Sequence, residues 1–262
     1  MPAEASLLLL FTKMGIAASI VVAVSIIAEK SKPFLAAMVA TLPVSAGPAL
    51  VFLAMGHDDA FMRAALAGSL VTNIAMSFYI SAYGWMAQRF SVLPALLSAF
   101  LLWLAAGWLL KSLPWTLATA LVANVFAYVS LMFLTRRYLT ASAGVVPPRP
   151  WFALPLRALA VASLVAAITL LSDILGPYGS GSLAVFPVVL SSLIVILHPR
   201  IGGPATATMI LSGLPGMVGF AFALAATSAL AEPLGRFWAL GVGLVITLIW
   251  NGALLLMRSR EA

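Results

Sequence analysis

Apolar residues form long continuous runs along this chain, and charged or Pro/Gly-rich residues separate one run from the next. Each run is about 20 residues long, the length that an α-helix needs to cross the hydrocarbon core of a bilayer. The alternation of apolar and polar residues that is typical of membrane β-barrel strands is absent. The pattern predicts nine transmembrane helices, at residues 6–28, 34–55, 61–84, 92–110, 115–134, 154–173, 181–197, 204–230 and 237–257.

The eighth predicted helix, 204–230, contains the helix-breaking cluster Ser212-Gly213-Leu214-Pro215-Gly216. Proline removes a helical hydrogen bond and clashes with the preceding turn, and glycine adds flexibility beside it. The run is also longer than one perpendicular crossing requires. We therefore expect one long helix that is kinked or partly unwound, because two crossings here would reverse the side on which the C-terminus lies.

Composition agrees with a chain that is surrounded by lipid. Of 262 residues, 63% are hydrophobic and only 8% are charged, whereas about a quarter of the residues in a soluble domain are charged. A bilayer requires every backbone polar group to be satisfied internally, which favours helices. The fold class predicted is therefore all-α, a polytopic integral membrane protein whose main partner is the lipid bilayer.

Basic residues outnumber acidic ones, giving a net charge of +7, but they occur singly or in pairs between the apolar runs. This distribution argues against nucleic-acid binding and agrees with the enrichment of Lys and Arg in cytoplasmic loops. An N-terminus outside places four basic residues outside, namely Lys13, Arg63, Lys111 and Arg236. It places ten on the cytoplasmic side, namely Lys30, Lys32, Arg89, Arg136, Arg137, Arg149, Arg157, Arg200, Arg258 and Arg260.

The predicted topology therefore has the N-terminus outside and the C-terminus in the cytoplasm. Glu4 precedes the first apolar run and no basic segment does, so this run is interpreted as a retained helix and not as a signal peptide. The compact, Ala/Leu-rich sequence favours the inner membrane of a bacterium.

Two segments resemble each other. Ala40–Leu53 reads ATLPVSAGPALVFL and Ala184–Leu197 reads AVFPVVLSSLIVIL, with five of fourteen positions identical, Pro43 and Pro187 among them. The odd offset of five helices predicts an inverted repeat of helices 1–4 (residues 1–112) and helices 6–9 (151–262), joined by helix 5 and its loop (113–150). Chance similarity between Ala/Leu/Val-rich segments is the alternative.

Several polar side chains fall within the predicted helices, and they are the candidate substrate-binding residues. They are Asn73, Asn124, Ser45 beside Pro43, Ser191 beyond Pro187, and Asn251 near the cytoplasmic end of the last helix. Broken helices at corresponding places in inverted repeats are typical of secondary transporters, whose substrate site lies near the midplane. The alternative is that these side chains join helices by hydrogen bonds.

Two charged residues lie inside predicted helices near the outer surface. Lys13 and Asp173 fall in the symmetry-related helices 1 and 6, where they either extend separately to the interface or form an ion pair. Lys13 alone is also a candidate cation for an anionic substrate. The sequence His57-Asp58-Asp59 is interpreted as a solvated turn.

No enzyme motif accompanies these features, and no catalytic residue, metal site or cofactor is predicted. The chain has no cysteine and only two histidines, His57 and His198. The leading hypothesis is a transporter for an unidentified small or amphipathic solute, working by alternating access. The alternatives are an accessory or assembly subunit of a larger complex and a lipid flippase, and homo-oligomerisation is left open.

Overall fold

The computed structural model describes residues 3–30, 45–139 and 150–261, and the side chains of residues 7–27, 45–139 and 150–257. All the regular elements in these ranges are helical. They are α1 (Ala3–Lys30), α2 (Ala46–Gly56), α3 (Asp59–Met86), α4 (Val92–Lys111), α5 (Leu117–Thr135) with a 3-10 turn at Arg136–Tyr138, α6 (Ala153–Ala184), α7 (Val188–Ile201), α8 (Gly203–Leu211), α9 (Leu214–Leu230) and α10 (Arg236–Glu261).

Six of these helices are long and apolar enough to cross a membrane: α1, α3, α4, α5, α6 and α10. The pair α8–α9 adds a seventh crossing if it is counted as one bent helix. Two shorter apolar helices, α2 and α7, lie at the second and seventh predicted positions, with 11 and 14 residues in the described part of the chain. Residues 34–44 of the second predicted helix, with Pro43, lie outside the described residues.

The predicted break in the eighth helix is confirmed. Helix α8 ends at Leu211, α9 begins at Leu214, and the two axes meet at 40°. Pro215 lies in the first turn of α9. The N–H groups of a first turn have no acceptor within the helix, so proline removes no hydrogen bond there. The breaker cluster therefore produces a bend between two helices.

Helix α6 is interrupted at Gly176, between the predicted helices 154–173 and 181–197. Gly176 has φ +65°, and Pro177 follows it. A positive φ is accessible to glycine without strain, and proline cannot donate the next helical hydrogen bond. A second interruption separates Ala184 from Val188, where Pro187 precedes α7. The segment 177–201 is therefore helical on both sides of a non-helical stretch.

Helix α3 is the centre of the bundle and contacts α2, α4, α5, α6, α8, α9 and α10. It begins at a capped end, where the Asp58 carboxylate accepts a hydrogen bond from Phe61 N at 2.8 Å. Most of its length is buried by neighbouring helices, unlike α4 and α5.

Contacts to α3 give the directions of its neighbours. Ser228 Oγ donates to Arg63 O at 2.9 Å, and the Leu211 side chain packs on Gly84, so α8–α9 run antiparallel to α3. The start of α6 at Ala153 clusters with Ile196 and Leu197 near the end of α7. The segment 177–201 therefore returns alongside the first part of α6.

Candidate functional site

A line of polar contacts joins α3 to the interrupted segment from Ser69 to Tyr83, and one more contact joins His57, before α3, to Ser172 of α6. We call these contacts the polar seam: His57 Nε2 to Ser172 Oγ (2.9 Å), Ser69 Oγ to Gly181 O (2.8 Å), Thr72 Oγ1 to Ser182 Oγ (2.6 Å), Tyr79 OH to Ser191 Oγ (2.9 Å) and Tyr83 OH to His198 Nδ1 (3.0 Å). Because Ser69 to Tyr83 pair in order with Gly181 to His198, α3 and the segment 177–201 run parallel.

On α3 the seam runs from Ser69 to Tyr83, about 21 Å at about 1.5 Å per residue, which is about two thirds of a hydrocarbon core of about 30 Å. Tyr79 and Tyr83 are fully buried in the protein interior. Hydrophilic groups therefore lie between these two elements inside the bundle, over the part of α3 from Ser69 to Tyr83.

Glycines let the two backbones of the seam approach closely. A Cβ at Gly181 would overlap the carbonyl of Ala65, and a Cβ at Gly68 would crowd the backbone of Tyr178. Gly203, just beyond the segment, lies equally close to the carbonyl of Ala87. Small residues at helix contacts are a common means of close packing in membranes.

Aromatic rings surround the second interruption of the segment. Phe186 stacks on Phe100 with centroids 5.6 Å apart and meets Trp103 edge-on at 5.2 Å. Tyr79 meets Phe100 edge-on at 5.4 Å. We call these four residues the aromatic cluster. It fills the space between α4 and α7 beside Ser191, one of the residues predicted from the sequence.

Asn73 and Asn124 are brought together, as a contact between α3 and α5. Asn73 Nδ2 donates to Asn124 Oδ1 at 2.9 Å, and Asn124 Nδ2 donates to Leu70 O and Ala120 O, both at 2.8 Å. Tyr128 OH donates to Asn73 O at 2.7 Å. Both amides are fully buried, and neither lines the crevice described below. This geometry is that of an interhelical contact.

The remaining predicted residues are dispersed. Pro187 precedes α7 at the second interruption, and Ser191 joins the polar seam. Ser45 lies at the start of α2, and its side chain does not cap that helix. Asn251 is buried and its carbonyl oxygen faces Gly216 of α9.

Lys13 and Asp173 do not form an ion pair in the described part of the chain. Lys13 is only 8% exposed, on the same stripe of α1 as the buried Ala17 and Val21. Asp173 is exposed.

Four charged side chains form a cluster at one end of the bundle, which we call the charged cluster. Arg236 Nη1 contacts Asp59 Oδ1 at 2.8 Å, and Arg63 Nη1 contacts Glu232 Oε2 at 3.1 Å. Arg236 Nε also donates to Ala54 O at 2.7 Å. The ends of α2, α3 and α10 are thereby tied together.

An apolar crevice of about 540 Å³ lies between α1, α2 and α3 on one side and α9 and α10 on the other. Its lining includes Val24, Val51, Leu66, Phe220 and Leu244. The crevice therefore separates helices of the first predicted repeat from helices of the second.

Sequence reasoning missed most of the polar seam. Tyr79, Tyr83, Ser182 and His198 were not predicted as site residues. A signal for α3 is present, because Ser69, Thr72, Tyr79 and Tyr83 recur at spacings of three, seven and four residues, which place them on one helix face. Nothing in the spacing identifies the facing segment.

Comparison with known proteins gives no relative for this chain: no family model, no curated protein and no solved structure matches it.

Proposed function

We propose that this protein is a membrane transporter for a small or amphipathic solute and works by alternating access. The observation that carries the proposal is the polar seam, which follows an interrupted helical segment along α3 from Ser69 to Tyr83. The proposal includes the nine crossings, the inverted repeat and the bacterial inner-membrane location expected from the sequence.

The physical reason concerns the cost of polar groups in a membrane. Two helices can associate in lipid through close packing alone, so a series of side-chain hydrogen bonds is not needed to hold α3 against the segment. If the two elements separate, the same hydroxyl and imidazole groups line a polar path. The helix is also interrupted at Pro187 beside the seam, as in the discontinuous helices of transporters.

The recurrence of helices at a fixed offset supports the inverted repeat. The aligned prolines Pro43 and Pro187 are 144 residues apart. The same offset separates the starts of α3 and α8 (Asp59 and Gly203), the ends of α3 and α9 (Met86 and Leu230), and the starts of α4 and α10 (Val92 and Arg236).

The contacts between the halves support a two-fold relation. Arg63 contacts Ser228. The offset of 144 residues makes Gly84 and Ala207 the equivalent pair, and in the structure Gly84 contacts Leu211, four residues from Ala207. Because α3 and α8–α9 are antiparallel, the axis that exchanges them lies in the membrane plane.

The two halves differ where alternating access requires a difference. Helix α2 contacts α10 beside the crevice, and the equivalent contact of α7 with α4 is closed by the aromatic cluster. Trp103 Nε1 is buried in that cluster and has no hydrogen-bond partner among the described residues, which costs about 1–3 kcal/mol. We infer that one side is open while its counterpart is closed.

Distances between spin labels test this exchange. The chain has no cysteine, so label pairs can be placed at V51C with V245C across the crevice and at V195C with L101C, the equivalent pair across α7 and α4. All four positions are exposed. Both pairs should show two distance populations. D59N weakens the charged cluster and should shift the distance populations of the two pairs in opposite directions. Y83F, a separate variant, should shift each pair in the direction opposite to its shift in D59N.

A pair on one helix serves as the control. Labels at L93C and L109C of α4 should give a single distance of about 24 Å that neither substitution changes. One fixed distance in each test pair, or equal shifts in both pairs, would contradict alternating access and favour an accessory subunit. Scrambling of a fluorescent phosphatidylcholine by proteoliposomes of the pure protein, with no exchange at the label pairs, would favour the flippase.

A further inference from the structure

The crevice is open because its walls carry small residues. Gly47 of α2 and Gly241 of α10 both line it, and a Cβ built on either would have no atom within 4 Å. The lining hydroxyls of Thr227 and Thr247 donate to carbonyls of their own helices, Ala223 O at 2.7 Å and Gly243 O at 2.9 Å. The lining therefore presents hydrocarbon to its occupant.

The depth of the crevice matches one leaflet of a bilayer. On α10 its lining runs from Phe237 to Thr247, which is about 15 Å at about 1.5 Å per residue. Half of a hydrocarbon core is also about 15 Å. The volume of about 540 Å³ is within the range of ligand pockets.

The charged cluster stands at the outer end of the crevice. Phe237 is the first lining residue of α10, and Arg236 precedes it. Arg63 and Arg236 are each paired with a carboxylate, and all four side chains remain partly exposed. Because the two positive and two negative charges already balance, this end favours a headgroup that carries both signs and no net charge.

We propose that the crevice binds one acyl chain of a zwitterionic phospholipid from the adjacent leaflet. The phosphate of the lipid faces the arginines of the charged cluster, and its ammonium group faces Glu232 and Asp59. Burial of each methylene contributes about 0.8 kcal/mol relative to water. An acyl chain in the bilayer is already out of water, so its preference for the crevice depends on how well it fits there. The site goes beyond the proposed transport function and does not depend on it.

Filling the crevice tests the site. Delipidated protein in detergent is titrated with palmitoyl-oleoyl-phosphatidylethanolamine, while native mass spectrometry counts bound lipid and thermal unfolding reports Tm. Wild-type protein should bind one lipid tightly, with a rise in Tm. G241L should weaken that binding at least tenfold and abolish the rise in Tm. G252L is the matched control on α10, because Gly252 has equal space and lies outside the crevice.

A second variant and two further lipids complete the test. G47L fills the crevice from α2 and should reproduce the effect of G241L, so that misfolding of one variant does not decide the outcome. The phosphatidylglycerol with the same chains should bind more weakly than the phosphatidylethanolamine, and palmitate should not replace it. Unchanged binding in both crevice variants, equal loss in G252L, tighter binding of the phosphatidylglycerol or full replacement by palmitate would overturn the proposal.

Discussion

At the residue scale, the amides of Asn73 and Asn124 show how a polar side chain is accommodated inside a membrane protein. Both N–H groups of Asn124 reach backbone carbonyls, and its oxygen accepts from Asn73. An amide left without partners in an apolar interior costs several kcal/mol on the harsher scales. The inward orientation predicted from the sequence follows from this cost, whereas a substrate role for the two amides remains a prediction.

The interaction energy between the two amides, measured together with transport, distinguishes an interhelical contact from a substrate-binding role. N73L and N124L, measured alone and together by thermal or denaturant unfolding in a fixed detergent, should show an interaction energy of about 1 kcal/mol. If the amides only join helices, transport per folded molecule should be the same in N73A as in the wild type. A loss of transport with unchanged stability would instead restore the substrate role predicted from the sequence.

At the element scale, the pairing of α3 with the segment 177–201 combines close packing with hydrogen bonds. Gly176 and Pro177 turn the chain back after the first part of α6, and Gly181 then lets the returning segment lie against the Ala65 carbonyl. Ser69 donates to Gly181 O at the same place. The hydrogen bond is formed only because the backbones are this close.

A methyl group at Gly181 should separate the two elements. G181A is expected to lower stability by about 1–3 kcal/mol, as overpacking does, although alanine forms helix better than glycine. G107A on α4 is the control, because a Cβ there meets nothing within 4 Å, and it should be neutral or stabilising. A Tm for G181A equal to that of G107A would show that Gly181 is not in close contact with the Ala65 carbonyl.

At the scale of the whole molecule, residues predicted on the same side of the membrane lie together. The charged cluster joins Arg63 and Arg236, both predicted outside, to Asp59 and Glu232. At the other end, Thr208 Oγ1 donates to Tyr138 O at 2.7 Å. The relative positions of the loops therefore agree with the predicted topology, while the side that faces the cytoplasm remains a prediction.

Reporter fusions test the orientation. A fusion after Ala262 should report the cytoplasm, because ten basic residues are predicted on that side and four on the other. A fusion inserted at Asp58 should report the outer side. If both report the same compartment, the number of crossings between them is even, and the nine-helix topology and the inverted repeat are both wrong.

The sequence by itself determined the membrane class, the all-helical fold and the bend at Ser212–Gly213. These depend on local properties: the length of apolar runs, the satisfaction of backbone groups in lipid and the backbone chemistry of glycine and proline. The tertiary structure decided which polar residues meet. Tyr83 and His198 are 115 residues apart, and their contact depends on the turn at Gly176 and on the antiparallel return of α6. The spacing of polar residues can show which face of α3 is polar, but it does not identify the distant segment that this face meets.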